Sequence, residues 1–188
     1  MSTFKIPNES QLLLLSSRPW NKSLAARLSS RLGTTVKTIT EPADLTIEAV
    51  AAINPQWIFV PHWSNLISKS IWGVWPTVIF HMTDLPYGRG GSPLQNLIKR
   101  GLTKTMLTAF RCADGLDTGD IYMKEPLNLH GSAEEVFLRA DCLIEKMIEK
   151  IVCKGLVATP QQGTPEFFDR RTPDQSNLAT CEDGKLTS

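Results

Sequence analysis

What most constrains this chain is the alternation of short, unbroken apolar runs with helix-period segments. Gln11–Ser16 (QLLLLS) places four leucines in a row, a pattern that suits a strand covered on both faces. Asn21 stands where an N-cap is expected for Lys22–Leu32, whose Leu24, Ala25, Leu28 and Leu32 share one helical face. Gly33 is the expected stop. Thr35–Thr40 is β-branched and strand-like. Asp44 or Thr46 opens a second helix to about Ile53, and Trp57–Val60 (WIFV) follows Pro55 as another buried strand. This order and spacing predict right-handed βαβ crossovers and an α/β fold with a mostly parallel sheet.

Open sheets of this kind place ligands in loops past the carboxyl ends of their strands. The densest such loop is Phe80–Pro93 (FHMTDLPYGRGGSP), between the apolar run Thr77–Phe80 and a helical pattern at Leu94–Lys99. Its glycines and prolines demand an unusual backbone path. A strand-like segment, Thr103–Arg111, then leads to a second dense loop, Asp114–Ile121 (DGLDTGDI). The two loops are expected to face each other across one site, with His81 from the first and Asp117 from the second. A third loop, Pro61–Ser68 (PHWSNLIS), alternates His62, Ser64 and Asn65 with Trp63, Leu66 and Ile67. It reads equally as a ligand-gripping segment or a plain connection, and Lys69–Trp75 follows as a short apolar link.

Beyond the second loop, Ile121–Met123 reads as short and extended. Ser132 and Glu135 form an S-x-x-E capping box for a helix over Ala133–Val152. Its Val136, Phe137, Ala140, Ile144, Met147, Ile148 and Ile151 form a core stripe. From Ala158 onward Pro160, Gly163, Pro165 and Pro173 exclude long regular elements. Residues 1–176 are expected to form one domain and Asn177–Ser188 a polar, flexible tail.

The 188 residues suffice for a core without disulfides or metals. A net charge of +1 argues against a nucleic-acid field over the whole surface. Cys112, Cys142, Cys153 and Cys181 are widely spaced with no C-x-x-C, so neither a disulfide framework nor a zinc site is expected. The Leu12–Leu15 run is too short for a membrane span. The expectation is a soluble cytoplasmic protein with no metal, nucleic-acid or membrane partner.

The two dense loops together resemble the folate-dependent formyltransferase family. The family pattern runs Asn-x-His-x-Ser-Leu-Leu-Pro, then Arg-Gly and a Pro, then Leu-Asp-Thr-Gly-Asp. Here the corresponding residues are His81-Met82-Thr83-Asp84-Leu85-Pro86, Arg89-Gly90-Gly91-Ser92-Pro93 and Leu116-Asp117-Thr118-Gly119-Asp120. The segment Arg170–Leu178 (RRTPDQSNL) is similar to the tail of the sugar-modifying branch. The resemblance implies a Rossmann-like sheet of about seven strands flanked by helices. It also implies transfer of a formyl group from 10-formyltetrahydrofolate to a primary amine of a small acceptor, and it is compatible with a homodimer.

Formyl transfer requires an amine to lose protons, an oxygen to be stabilised as it gains charge, and a leaving nitrogen to be protonated. By resemblance His81 is the acid/base or oxyanion-stabilising group, and Asp117 orients it and relays protons. Ser64, Asn65, Ile67, Cys112, Ala113, Asp114 and Gly115 are the implied folate contacts. Thr83, Arg89, Gly90 and Gly91 are the candidate substrate contacts; Arg89 with the backbone N–H groups of Gly90, Gly91 and Ser92 reads equally as a cradle for an acceptor phosphate or as a structural arginine pinning the loop. Asp84 is either a loop-fixing residue or a second carboxylate of the site.

One departure stands out: the family's asparagine, two residues before the histidine, is Ile79 here, which offers no oxyanion donor. Either His62 or Asn65 supplies the hydrogen bond, or backbone N–H groups of His81–Thr83 do, or transfer is lost. The rival readings are therefore a formyl hydrolase and a degenerate folate- or nucleotide-binding protein. The chain is shorter and more neutral than the resemblance to methionyl-tRNA formyltransferases would require, so a small acceptor amine is expected; the likeness of Arg170–Leu178 to the sugar-modifying branch points to an amino-sugar, nucleotide-linked, with an amino-acid or polyamine-like amine as the alternative.

Overall fold

The structure is a computed structural model and describes residues 11–18, 21, 23–172 and 175. The expected tail, and most of Arg170–Leu178 beyond Thr172, lie outside the described residues. The elements are β1 (Gln11–Leu15), α1 (Leu24–Leu32), β2 (Thr35–Ile39), α2 (Ile47–Ile53), β3 (Trp57–Val60), one-turn α3 (Lys69–Trp72) and β4 (Thr77–His81). They continue with β5 (Arg89–Gly90), α4 (Pro93–Lys99), β6 (Lys104–Arg111), β7 (Ile121–Asn128), α5 (Ala133–Lys154) and β8 (Phe167–Phe168).

The main sheet has the order β2-β1-β3-β4-β6-β7. The first four strands are mutually parallel; β6 and β7 are antiparallel to their neighbours. It holds six strands where about seven were expected, because β5 pairs with β8 in a separate two-stranded ribbon. The sheet grows from β1 in both directions, so right-handed crossovers send α1 and α2 to opposite faces. Successive leucines of β1 then alternate between two cores. Leu12 and Leu14 pack with Leu24 and Leu28 of α1, and Leu13 and Leu15 with Val50 of α2. All four are at most 1% exposed, which is why the run is unbroken. The switch point between β1 and β3 opens a crevice at their carboxyl ends.

Three local expectations need correcting. The N-cap of α1 is Ser23 rather than Asn21, with the helix running from Leu24 and Lys22 outside the described residues; Asn21 is buried and turns its amide inward instead. β7 continues to Asn128 instead of ending at Met123, since Pro126 is tolerated on this edge strand. Phe137 is only partly buried, packing at the margin of the core stripe of α5 and setting its ring edge-on to His62.

α5 otherwise follows its sequence. The Ser132–Glu135 capping box forms, and Gly155 closes the helix in a left-handed conformation at φ 57°. Val136, Ala140, Ile144, Met147, Ile148 and Ile151 are fully buried, each worth about 1.5–3 kcal/mol for the larger side chains. Two carboxylates, Asp141 and Glu145, are buried beside them. Glu145 accepts from Arg27 Nε of α1 at 2.8 Å and lies 3.4 Å from Arg31 Nε, tying the two helices together. Among the described residues no helix is long and apolar enough to cross a membrane.

Candidate active site

β4 delivers His81 to the carboxyl edge of the sheet, and the turn after β6 brings Asp117 to the same place. The His81 ring is 8% exposed as a residue, and its Nε2 lies 3.9 Å from Asp117 Oδ2. That gap is too long for a hydrogen bond. The intervening loop holds both groups: His81 Nε2 donates to Gly88 O at 2.8 Å, and Asp117 Oδ2 accepts from Gly90 N–H at 2.8 Å. The Gly88 carbonyl, rather than Asp117, thus fixes the proton on Nε2, leaving Nδ1 as the other functional nitrogen. Asp117 adopts a left-handed φ of 52°, unusual for a residue with a side chain.

Both glycines of that loop are required by close approach. A Cβ on Gly88 would lie 2.7 Å from the Thr83 methyl and 2.8 Å from the Phe168 ring. On Gly90 it would sit 2.3 Å from Phe168 O, at a φ of 114°. Phe168, carried by β8, buttresses the loop from behind.

A cleft of about 950 Å³ opens beside the carboxyl ends of the parallel strands β3 and β4 and is walled by the loop that follows the antiparallel β6, within the range of small-molecule sites. Ser64, Asn65 and Ile67 line one wall, Cys112, Ala113, Asp114 and Gly115 the other, with His81, Asp117, Gly90 and Gly91 between them. Lys69 at the start of α3 pairs with Asp114 at 2.5 Å across the mouth. The Trp63 indole N–H, in the same wall, is buried with no hydrogen-bond partner among the described residues. Apolar walls with few convergent polar groups fit a pterin.

The Cys112 thiol is pushed from an ordinary 9.0 up to about 11, first by burial, then by the nearby Asp117 charge. It is an apolar wall element, not a nucleophile.

Some expected contacts are not in the cleft. Thr83 is fully buried; its hydroxyl donates to Gly88 O at 3.3 Å and its carbonyl accepts from Thr108 at 2.7 Å, so it braces the loop from below. The Arg89 guanidinium bonds Gln161 Oε1 at 2.7 and 3.2 Å. The Gly90 and Gly91 N–H groups are taken by Asp117 and Phe168 O. Arg89 and the Gly90 and Gly91 N–H groups of the expected cradle are thus bonded to protein groups here, while both glycines still line the cleft. Asp84 forms an ion pair with Lys124, away from the cleft.

Two features had no sequence signal. Gln161 Nε2 donates to both Asp117 O and Gly119 O at 2.8 Å, so Arg89 and Gln161 together clamp the Asp117 loop. At the switch point His62 Nε2 lies 2.9 Å from the buried Asp141. Asp141 is indistinguishable in sequence from a solvated helix charge.

A family model described as Formyl transferase matches residues 22–139. The methionyl-tRNA formyltransferase of Corynebacterium aurimucosum is 33% identical over 156 residues, covering 77% of this chain and 46% of the relative. The chain spans about half the length of such curated relatives or less. The solved methionyl-tRNA formyltransferase from Clostridium thermocellum superimposes with a TM-score of 0.88 at 42% identity, over 93% of this chain and 78% of that one. The formyltransferase PseJ from Anoxybacillus kamchatkensis, solved with UDP-4,6-dideoxy-4-formamido-L-AltNAc and tetrahydrofolate, shares the fold at a TM-score of 0.71 and 18% identity, over 93% of each chain. On fold, on the paired loops and on these matches, the chain belongs to the formyltransferase family.

Proposed function

We propose that this chain transfers a formyl group from 10-formyltetrahydrofolate to a primary amine of a small acceptor, most specifically a nucleotide-linked amino-sugar. The observation that carries the reading is the placement of His81 and Asp117, 3.9 Å apart, beside a cleft wide enough for a pterin. The folate supplies the activated formyl group. His81, held by Gly88 O, presents an imidazole to the reacting centre, beside the Asp117 carboxylate, where charge builds on the formyl oxygen. Ser64, Asn65 and Ile67, with Cys112 to Gly115, grip the ring from two sides.

A second reading has the amine on an aminoacylated tRNA, favoured by the curated relatives named methionyl-tRNA formyltransferase. The overall charge of +1 favours the small acceptor.

The test is release of tetrahydrofolate from 10-formyltetrahydrofolate with a panel of nucleotide-linked amino-sugars and methionyl-tRNA. Release that depends on an amino-sugar supports the proposal, and dependence on the tRNA alone supports the second reading. Release without any amine identifies a hydrolase, and folate binding without release a degenerate binding protein.

A further inference from the structure

We infer that His62 and Asp141 are positioning residues for the folate: their hydrogen bond holds loop 61–68 in the course that forms one wall of the cleft, so breaking it weakens folate binding rather than the chemical step. The inference rests on the folate-dependent reading and names what sets the affinity of that site.

The loop has little of its own to fix its course. Trp63, Ser64, Asn65, Leu66 and Ile67 line the cleft. Among the described residues, however, Ser64, Asn65 and Leu66 make no hydrogen bond to the rest of the chain, and Leu66 is 92% exposed. A segment with so few bonds and buried contacts is held from its ends. At the far end Ser68 caps α3, accepting from Ser70 N–H at 3.3 Å, and Ile67 packs against the core on the α2 side of the sheet. At the near end stands His62.

His62 turns the chain there. Its φ is 52°, a left-handed backbone that is disfavoured roughly 5- to 150-fold for a residue with a side chain and is kept only where the surroundings impose it. Ile58 and Val60 of β3 point to the face covered by α2, whereas His62 goes to the other. Its Nε2 lies 2.9 Å from Asp141 Oδ1, and its ring stands edge-on to Phe137 at 5.2 Å, both on α5. These contacts offset the backbone cost.

Asp141 is placed to act as an anchor. It is 5% exposed on the apolar stripe of α5. The Asn21 amide, turned toward it, donates to its two oxygens at 2.6 and 3.0 Å while accepting from Ser16 Oγ at 2.9 Å. One buried carboxylate therefore ties the end of β1, the end of β3 and α5 together. Apolar groups of similar volume would cost less to bury, but their contacts are non-directional and would not select one backbone conformation at residue 62. The facing wall is built on the same plan: Asp117 also takes a φ of 52°, with its side chain held by Gly90 N–H and its carbonyl by Gln161.

Without the anchor, residue 62 relaxes to a commoner backbone and the loop leaves the wall. Folate then binds only the fraction of molecules that keep the course, and the apparent Kd rises by the inverse of that fraction. At saturating folate the bound molecules all hold the course, so kcat is kept.

The test measures tetrahydrofolate binding by titration calorimetry, and turnover at saturating formyl donor, for wild type, His62→Ala, His62→Gly and Asp141→Asn in the full chain. His62→Ala should raise the Kd about 10-fold. Asp141→Asn should raise it about 3-fold, because the amide oxygen still accepts from His62. In both, kcat should change by less than about 2-fold. Glycine takes positive φ as readily as negative, so His62→Gly should bind within about 3-fold of wild type although it lacks the imidazole. A His62→Gly that binds no more tightly than His62→Ala overturns the inference. So does a fall in kcat with Kd unchanged, which would make His62 a group of the chemical step. Amide hydrogen exchange decides the question without ligand. Peptides covering 61–68 should exchange faster in His62→Ala and Asp141→Asn, while those covering 147–152 exchange as in wild type; unchanged exchange at 61–68 overturns the inference. A wild type that binds no tetrahydrofolate would sink the folate reading and leave the exchange rates to decide the role of the pair.

Discussion

His81 and Asp117 stand 3.9 Å apart, yet each spends its hydrogen bond on the backbone of the same short loop, at Gly88 O and Gly90 N–H. The loop sets their separation. Neither group depends on the other for its position, so their functional coupling is electrostatic or carried by water.

His81→Gln should therefore lower turnover by about 10²- to 10⁴-fold, and Asp117→Asn by a smaller factor, with folate binding retained in both. Steady-state rates beside titration calorimetry with a non-transferable folate analogue check this. Loss of folate binding in His81→Gln would mean that the ring is a scaffold element.

Gln161 reaches Asp117 O and Gly119 O while accepting from Arg89. Gln161→Ala removes all of these bonds at once, and it should loosen the loop and cost about 10-fold in kcat. Because the lost bonds are partly solvated, stability should fall by only about 1 kcal/mol. Denaturant unfolding and kinetics on the same preparation separate the two effects.

At Gly119 an added Cβ would lie 1.7 Å from Arg111 O, a backbone atom that has no rotamer to yield. Gly119→Ala should destabilise the chain by about 1–3 kcal/mol and displace Asp117 two residues before it. A mutant that melts like wild type would contradict the close approach.

Cys112 holds its proton more tightly in the folded chain, up to about 11, than an ordinary thiol at 9.0. Its contribution to stability is whole below pH 9 and is lost as pH rises through about 11, because the unfolded thiol ionises first. Cys112→Ala should flatten that alkaline decline. At neutral pH iodoacetamide should label the exposed Cys142 and Cys153 well before Cys112, which peptide mass mapping would show.

Much of this was legible in the chain. Four consecutive leucines announced a strand buried on both faces, and Ser132 with Glu135 announced the start of α5, because backbone periodicity and capping are local effects. The loops bearing His81 and Asp117 were expected to face each other, and the two side chains do lie 3.9 Å apart. For Arg89 the sequence left a phosphate contact and a structural pin of the loop equally open, since whether a guanidinium meets an anion or Gln161 depends on a partner far along the chain.

By itself, then, the sequence determined the order of strands and helices, the two faces of the sheet and the loops that line the cleft. Each of these follows from side-chain period and turn preference within a few residues. Only the tertiary structure decided which polar groups meet: Gln161 beneath the Asp117 loop, and Asp141 behind His62. Those pairings join positions 42 to 79 residues apart, and burial, which no local pattern encodes, is what turns a helix carboxylate into the partner of a histidine.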